Sequence, residues 1–168
     1  MQEAHVTHTF EPVYDETSKL LILGTFPSVK SRENAFYYGH PQNRFWKVLA
    51  ALTGFALPES IPDKKKLLLA NHIAVWDVIA SCDIQGSSDS SIKNVVPNDI
   101  GRILREVPDI LLFGNGEKAC SLYRRYCQDS LLRDITKLPS TSPANAAFSI
   151  ERLTAIWGEA FLEAGWSI

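Results

Sequence analysis

Side chains suited to holding a flat ring are concentrated in one stretch near the start of the sequence. The short apolar run Leu20–Leu23 is followed by a polar segment that contains Tyr38, His40 and Asn43. Tyrosine offers a flat π-face, and histidine and asparagine can both donate and accept hydrogen bonds. A loop of this composition after a buried strand is typical of a pocket for a planar ligand. We therefore expect Tyr38 and Asn43 to face such a ligand.

A second polar stretch follows the last short apolar run, Ile135–Leu138. It is rich in hydroxyl groups and stiffened by proline, and backbone N–H and hydroxyl groups of this kind can hold phosphates. The residues are Ser140, Thr141, Ser142, Pro143, Ala144 and Asn145. An ordinary turn before a helix that starts near Ser149 is the alternative interpretation.

Short apolar runs bounded by turn residues predict the strands that position these stretches. The runs are Leu20–Leu23, Ile73–Val78, Ile110–Phe113 and Ile135–Leu138. Helical patterns lie between them, so the fold class is α/β, with three αβα layers and a central, four-stranded, mainly parallel sheet. Ligands of such sheets bind beyond the carboxyl ends of the strands. Residues 24–42, 79–96, 114–116 and 139–148 are therefore expected to surround the site as loops.

The helices are predicted from periodicity and capping residues. The first spans Arg44 to Thr53, with Asn43 as a candidate N-cap and Gly54 at its end. The others run from Pro62 or Asp63 to Asn71, from Pro97 or Asn98 to Glu106, and from Glu117 to Cys127. The last helix follows Phe148 and carries an apolar stripe of Ile150, Leu153, Trp157, Phe161 and Ala164.

Length and composition indicate a single domain over residues 1–168. The chain is 45% hydrophobic, which suffices for one core. No apolar run is long enough to span a bilayer, and Met1–Phe10 lacks the pattern of a signal peptide. We expect a cytoplasmic protein with no membrane partner. An odd cysteine count (Cys82, Cys120 and Cys127) argues for buried, reduced thiols.

Charge and ligand counts restrict the classes of function. A net charge of −2 is not that of a protein that holds nucleic acid mainly by charge, so such contacts must be local. An iron–sulfur cluster normally needs more cysteines than this chain has. His5 and His8 could pair on a metal, but no further ligand lies nearby in the sequence. We expect neither a metal nor another cofactor.

The two polar stretches carry a resemblance to a known family. The segments GTFPS (residues 24–28) and YYGHPQNRFWKV (residues 37–48) are similar to the first motif and following helix of the uracil-DNA glycosylase superfamily. The segment LPSTSPANA (residues 138–146) resembles its second motif. The similarity is greatest to the branches that remove mismatched bases and hypoxanthine. It extends from about Leu20 to Trp166.

The resemblance implies a candidate set of site residues. Phe26 stands where many members have an aspartate or asparagine, and Ser140 stands where several have histidine or asparagine. In the hypoxanthine branch, catalysis rests on the asparagine of the NRFW segment, which is Asn43 here. The expected base pocket consists of Thr25, Phe26, Pro27, Tyr38 and Asp77. Asp77 is expected either to act in that pocket or to cap the loop that follows it.

The family's reaction gives each stretch an expected task. The damaged base is flipped out of single- or double-stranded DNA, Tyr38 and Phe26 enclose it, and the loop with Ala144 and Asn145 opens the duplex. Asn43 would donate to the leaving base or hold a water; the sequence leaves both open. No lysine is placed for Schiff-base chemistry. We therefore expect hydrolysis by a monomeric, monofunctional enzyme without strand cleavage.

Other functions remain open at this point. A non-catalytic module that senses damaged bases would also lack the usual catalytic residues, and a glycosylase that prefers uracil or mismatches would share both motifs. A hydrolase with Ser140 or Ser142 as nucleophile would need a sharp glycine-flanked elbow and a histidine base. Neither serine stands in such an elbow.

Overall fold

The computed structural model describes residues 3–8 and 10–166. In chain order its elements are β1 (Ala4–Thr7), β2 (Leu20–Gly24), α1 (Val29–Asn34), α2 (Phe45–Thr53), α3 (Ile61–Ala70), β3 (Ile73–Asp77), β4 (Ile79–Ile84), β5 (Lys93–Pro97), α4 (Gly101–Glu106), β6 (Leu111–Asn115), α5 (Glu117–Tyr123), α6 (Asp129–Leu131), β7 (Thr136–Leu138) and α7 (Ile150–Glu163).

The central sheet has the strand order β3-β2-β6-β7. All of its pairings are parallel. The strands β2 and β3 are buried along their whole length, which explains why they read as continuous apolar runs. The four predicted strands are confirmed, with ends displaced by at most two residues. All four end at the same edge of the sheet, where the site was expected.

Helices cover both faces of this sheet. The ring centroid of Phe113 lies 5.5 Å from that of Phe161, so α7 packs on the face to which Phe113 points. A Cβ built on the neighbouring Gly114 would lie 2.3 Å from Cys120 Sγ, so α5 packs directly over that residue. Successive residues of a strand point to opposite faces. The two helices therefore lie on opposite sides, and the predicted three-layer αβα architecture is confirmed.

A second sheet was not predicted from the sequence. Strands β1, β4 and β5 form an antiparallel sheet of order β1-β4-β5. The expectation that residues 79–96 form a loop was wrong, because β4 pairs with the N-terminal strand on one side and β5 on the other. The serine-rich segment between β4 and β5 forms a hydrogen-bonded turn, in which Ser91 Oγ donates to the Ser88 carbonyl at 2.7 Å.

Three helix boundaries differ from the predictions. The helix α4 begins at Gly101 rather than near Pro97, because Asn98 uses its side chain to donate to the carbonyls of Asp77 (2.9 Å) and Ile79 (3.2 Å). The helix α5 passes through a π-helical turn into α6 and so continues beyond Cys127. The helix α2 begins at Phe45, which places Asn43 one residue before the N-cap position.

The buried side chains form a hydrophobic core around the parallel sheet. The three cysteines are free and buried within it, as expected from their number and spacing. Burial raises the pKa of the Cys127 thiol to about 11. No helix in the described ranges is long and apolar enough to cross a membrane.

Candidate active site

A pocket of about 300 Å³ opens at the carboxyl ends of the parallel strands. Its lining includes every predicted base-pocket residue and the predicted catalytic residue: Thr25, Phe26, Pro27, Tyr38, Asn43 and Asp77. Of the predicted DNA-binding loop, Ser140, Thr141, Ser142 and Pro143 line the same pocket. Ala144 and Asn145 instead line an adjoining groove of about 610 Å³.

Hydrogen bonds fix the amide of Asn43. Its Oδ1 accepts the backbone N–H of Phe45 at 2.9 Å and the hydroxyl of Thr141 at 2.8 Å. A backbone N–H can only donate, so the amide atom that faces Phe45 must be the oxygen. The Nδ2 group is the remaining end of the amide and has no hydrogen-bond partner among the described residues. Asn43 therefore has a donor available at the pocket wall.

Asn115, at the end of β6, completes this network and was not predicted as a site residue. Its Nδ2 donates to Thr141 Oγ1 at 3.0 Å, and its Oδ1 accepts the Thr141 backbone N–H at 3.0 Å. Since Thr141 Oγ1 accepts from Asn115, its own proton is free to point at Asn43. The signal in the sequence was the position of Asn115 at a strand's carboxyl end, within the expected 114–116 loop.

Arg44 makes hydrogen bonds to the backbone carbonyls of the predicted DNA-binding loop. Its guanidinium donates to the carbonyls of Ser142 (2.8 Å), Asn145 (3.0 Å) and Phe148. Its backbone N–H donates to the carbonyl of Thr141 at 3.1 Å. The residue next to Asn43 therefore holds the loop, and the sequence did not predict that role for Arg44.

Tyr38 contributes a buried hydroxyl to the pocket. One face of its ring stacks on Phe45, with centroids 3.9 Å apart, so only the other face is available to a base. The hydroxyl oxygen has no hydrogen-bond partner among the described residues. Burial and the nearby Asp77 carboxylate raise the pKa of Tyr38 far above its usual value. The hydroxyl therefore stays protonated and can donate.

The Asp77 carboxylate pairs with a histidine from the N-terminal strand region. Its Oδ2 lies 2.8 Å from His8 Nε2, and the two side chains are only 5% and 2% exposed. The His8 ring packs against Phe10 and Tyr37, with centroids 4.4 Å and 5.8 Å away. Among the described residues no backbone N–H of a loop donates to the Asp77 carboxylate, and Asp77 lines the pocket.

Gly24 is required where β2 meets the pocket. A Cβ at this position would lie 2.3 Å from Asp77 Oδ1 and 2.9 Å from the Tyr38 hydroxyl. Real side chains do not approach this closely, so any larger residue would displace both polar groups. The glycine that ends β2 therefore makes room for the floor of the pocket.

Arg32 supports the side of the pocket that contains Phe26. Its guanidinium donates to the carbonyls of Pro27 (3.2 Å) and Gly86 (2.9 Å) and lies 5.7 Å from the Phe26 ring centroid. These contacts tie the segment after β2 to the turn between β4 and β5. Phe26 therefore faces the pocket as part of a supported apolar wall, beside Thr25.

The geometry does not assemble the serine hydrolase considered above. Ser140 Oγ accepts the backbone N–H of Ser142 at 3.1 Å, and among the described residues no histidine hydrogen-bonds to either serine. His5 and His8 pair with different carboxylates, those of Asp83 and Asp77. Within the described ranges no three histidine, cysteine, aspartate or glutamate side chains are grouped to hold a metal ion.

Comparison with known proteins places this site in a family. Residues 11–160 match the model of the uracil DNA glycosylase superfamily. The chain is 38% identical over 149 residues to a hypoxanthine DNA glycosylase of Methanosarcina acetivorans, covering 85% of this chain and 90% of the relative. It is 32% identical over 158 residues to a hypoxanthine DNA glycosylase of Methanosarcina barkeri, covering 90% and 96% of the two chains.

A solved structure agrees with this assignment. The solution NMR structure of a candidate uracil DNA glycosylase from Methanosarcina acetivorans superimposes with a TM-score of 0.77 at 34% identity, covering 93% of this chain and 96% of that one. The resemblance found in the sequence motifs is thereby confirmed. The chain belongs to the uracil DNA glycosylase superfamily.

Proposed function

We propose that the protein is a monofunctional DNA glycosylase that hydrolyses the N-glycosidic bond of deaminated bases, chiefly hypoxanthine. Two relatives of at least 32% identity carry the name hypoxanthine DNA glycosylase and are matched over nearly their full length. The target base must leave the stack before it can be read or released. The pocket beyond the parallel strands is the place to which a flipped base would go.

The orientation of the Asn43 amide is the observation that carries this proposal. Its oxygen already accepts from Phe45 and Thr141, so the group presented to a ligand is the Nδ2 donor. A preorganised donor stabilises negative charge as it develops on a leaving purine. Orienting a water for attack requires an acceptor for one of its protons, and the amide oxygen already accepts two hydrogen bonds. We therefore assign Asn43 the donor role.

Asp77 supplies the complementary acceptor in this proposal. Hypoxanthine carries a proton on ring nitrogen N1, whereas adenine has a lone pair there. A carboxylate oxygen accepts from the former and repels the latter, which would separate the damaged purine from its normal parent. Guanine also carries a proton at N1, so its exclusion must come from the space available to its 2-amino group.

The second motif would act on the DNA backbone and the stack. Pro143 and Ala144 are exposed at its tip, and Arg44 fixes the carbonyls behind them. The hydroxyl protons of Ser140 and Ser142 remain available for phosphate contacts. Thr141, which was also expected to make such contacts, is buried and spends its N–H on Asn115 and its hydroxyl proton on Asn43. Small tip residues imply that the loop holds open a base pair already weakened by deamination.

We also propose that the enzyme acts as a cytoplasmic monomer on double- or single-stranded DNA. Light scattering after size-exclusion chromatography measures the oligomeric state. Parallel assays on single- and double-stranded oligonucleotides measure the preferred form of the substrate.

A direct assay tests the reaction. An oligonucleotide with one deoxyinosine should release free hypoxanthine and leave an abasic site, with strand breakage only after alkali. No lysine lines the pocket among the described residues, so borohydride should trap no protein–DNA adduct. Trapping would contradict hydrolysis. Activity should survive EDTA; loss that zinc or magnesium restores would contradict a metal-free reaction.

The same assay separates the enzyme from its alternatives. A non-catalytic sensor would bind the deoxyinosine oligonucleotide more tightly than the matched control and release no base. A uracil- or mismatch-preferring enzyme would release uracil faster than hypoxanthine.

A further inference from the structure

His8 lies outside the part of the chain that the family model matches. That match begins at residue 11, and His8 precedes it, directly after β1. Its backbone N–H donates to the carbonyl of Ala80 at 2.6 Å, which holds it against β4. The side chain is not part of the pocket lining, yet it contacts a residue that is.

The contact with Asp77 is enclosed. The imidazole and carboxylate are 2% and 5% exposed, and the rings of Phe10 and Tyr37 flank the histidine. Water cannot readily replace a hydrogen bond in such surroundings, and bonds to an ionised partner are strong and directional. The 2.8 Å bond therefore fixes which way the carboxylate faces.

The second carboxylate oxygen has a different environment. Oδ1 lies against Gly24 and has no hydrogen-bond partner among the described residues. Gly24 and Tyr38, the neighbours of Asp77 at this point, both line the pocket. With Oδ2 committed to His8, Oδ1 is the acceptor that remains for a ligand.

We propose that His8 is a positioning residue that commits one oxygen of Asp77 and so presents the other to the ring N–H of a deaminated purine. This inference rests on the proposed function and assigns its base specificity to a pair of residues, one of them outside the matched region. The base touches Asp77, and His8 acts only through it.

The contact between His8 and Asp77 predicts how an amide at position 77 would change the preference between bases. In Asp77→Asn, a His8 that keeps its proton on Nε2 would donate it to the amide oxygen, because that is the only acceptor the amide has. The amide NH2 would then face the base, where it opposes the N1–H of hypoxanthine and suits the N1 lone pair of adenine. Removing His8 from this variant frees the amide to turn its oxygen toward the base.

The test measures binding of free hypoxanthine and free adenine by titration calorimetry, so it does not depend on bond cleavage. His8→Leu removes the donor and fills the space, and His8→Gln keeps a donor at a similar reach. His5→Leu is the matched control, since His5 also pairs with an aspartate, at an exposed site on β4 (Asp83, 2.9 Å). The remaining proteins are Asp77→Asn and His8→Leu/Asp77→Asn.

We expect His8→Leu to weaken hypoxanthine binding about 10- to 100-fold, the range for loss of a hydrogen bond to a charged group. His8→Gln should retain most of the affinity, and His5→Leu should equal the wild type. Asp77→Asn should lose preference for hypoxanthine over adenine, and adding His8→Leu should restore part of it. A merely structural histidine would not produce that rescue.

Three results would overturn the inference. They are wild-type affinity in His8→Leu, equal losses in His8→Leu and His8→Gln without rescue in the double variant, and absence of free hypoxanthine binding to the wild type. Turnover of the deoxyinosine oligonucleotide by the wild type decides the proposed function separately. If the wild type cleaves the deoxyinosine oligonucleotide but the variants do not show the expected changes in base binding, the proposed function stands and the positioning role of His8 is wrong.

Discussion

Asn43 combines two tasks that usually fall to different residues. Its oxygen accepts the first free N–H of α2, which stabilises the start of that helix, and its nitrogen faces the pocket. The Thr141 hydroxyl, from the second motif, donates to the same oxygen. The position of the donor is therefore determined by the start of a helix and by the second motif together.

Asn43→Ala should reduce single-turnover release of hypoxanthine by about 10²–10³, the usual effect of losing a donor aimed at developing charge. DNA affinity should change little, because phosphate contacts lie elsewhere. Loss of the capping oxygen should cost about 1 kcal/mol of stability, so melting temperature is measured beside the rate.

Asn43→Asp is the control for that experiment. The carboxylate can still accept from Phe45 and Thr141 but has no donor, so a donor role predicts slow release at neutral pH in both variants. Substantial activity in Asn43→Asp would favour water positioning instead. Wild-type activity in Asn43→Ala would show that the residue is structural and the assigned site is wrong.

Gly24→Ala should abolish most activity while the protein remains folded. The added methyl would lie 2.3 Å from Asp77 Oδ1 and must displace the carboxylate or the Tyr38 hydroxyl. Gly158→Ala is a control, since its methyl meets only the flexible end of Leu52 at 2.8 Å. Hypoxanthine release and thermal melting are compared for both variants. Equal activities in the two would show that the pocket floor tolerates movement.

Part of the site could be predicted from local sequence, and part could not. Tyr38 and Asn43 are conspicuous because ring and amide side chains follow a buried strand within one loop. Asn115 and His8 acquire their roles from partners 26 and 69 residues away along the chain. From the sequence alone, no nearby partner marks either residue as part of a site. Only the folded chain brings them to Thr141 and Asp77.

At the scale of elements, Arg44 connects the start of α2 to the loop before α7. One guanidinium donates to the carbonyls of Ser142, Asn145 and Phe148, the first two of which also accept a backbone N–H within the loop. Charged donors make strong bonds to carbonyls in partly buried surroundings. The loop that would meet DNA is therefore held in shape before DNA binds.

Arg44→Gln should loosen this loop and lower both DNA affinity and the rate of base release. Three carbonyl contacts depend on the fork of the guanidinium, and glutamine cannot replace them together. Hydrogen exchange of residues 140–148 should accelerate, as measured by mass spectrometry.

The matched control is Lys47→Gln. It removes the same charge three residues further along, in the first turn of α2, at an exposed position outside the pocket lining. A similar decrease in both variants would mean that Arg44 acts through its charge alone and not by shaping the loop.

The parallel sheet was predictable and the antiparallel sheet was not, for a physical reason. Strands buried on both faces must be apolar throughout, which produces the runs that mark β2 and β3. In β4 only every second residue near the end is buried, and β5 is mostly exposed or half-buried. The serine-rich segment between β4 and β5 adds turn residues, so residues 79–96 together have the sequence pattern of a loop.

At the scale of the whole molecule, the charge pattern suits brief and local contact with DNA. The chain has a net charge of −2. The groove beside the pocket contains Lys118 and Lys137, but Glu117 pairs with Lys137 at 3.3 Å and Asp89 lies in the same lining. Few positive groups there are free to meet phosphates. Base recognition must therefore supply much of the selectivity.

This distribution predicts a weak dependence of DNA affinity on salt. Each neutralised phosphate contributes about −0.9 to the slope of log K against log salt concentration, so about three contacts give a slope near −3. Fluorescence anisotropy with a deoxyinosine duplex across a series of salt concentrations measures this slope.

Lys118→Ala should make the slope shallower by about 1. Lys66→Ala, on α3 and outside both cavity linings, should leave it unchanged. A slope steeper than about −6 would require a broad basic surface, which contradicts recognition through a local patch.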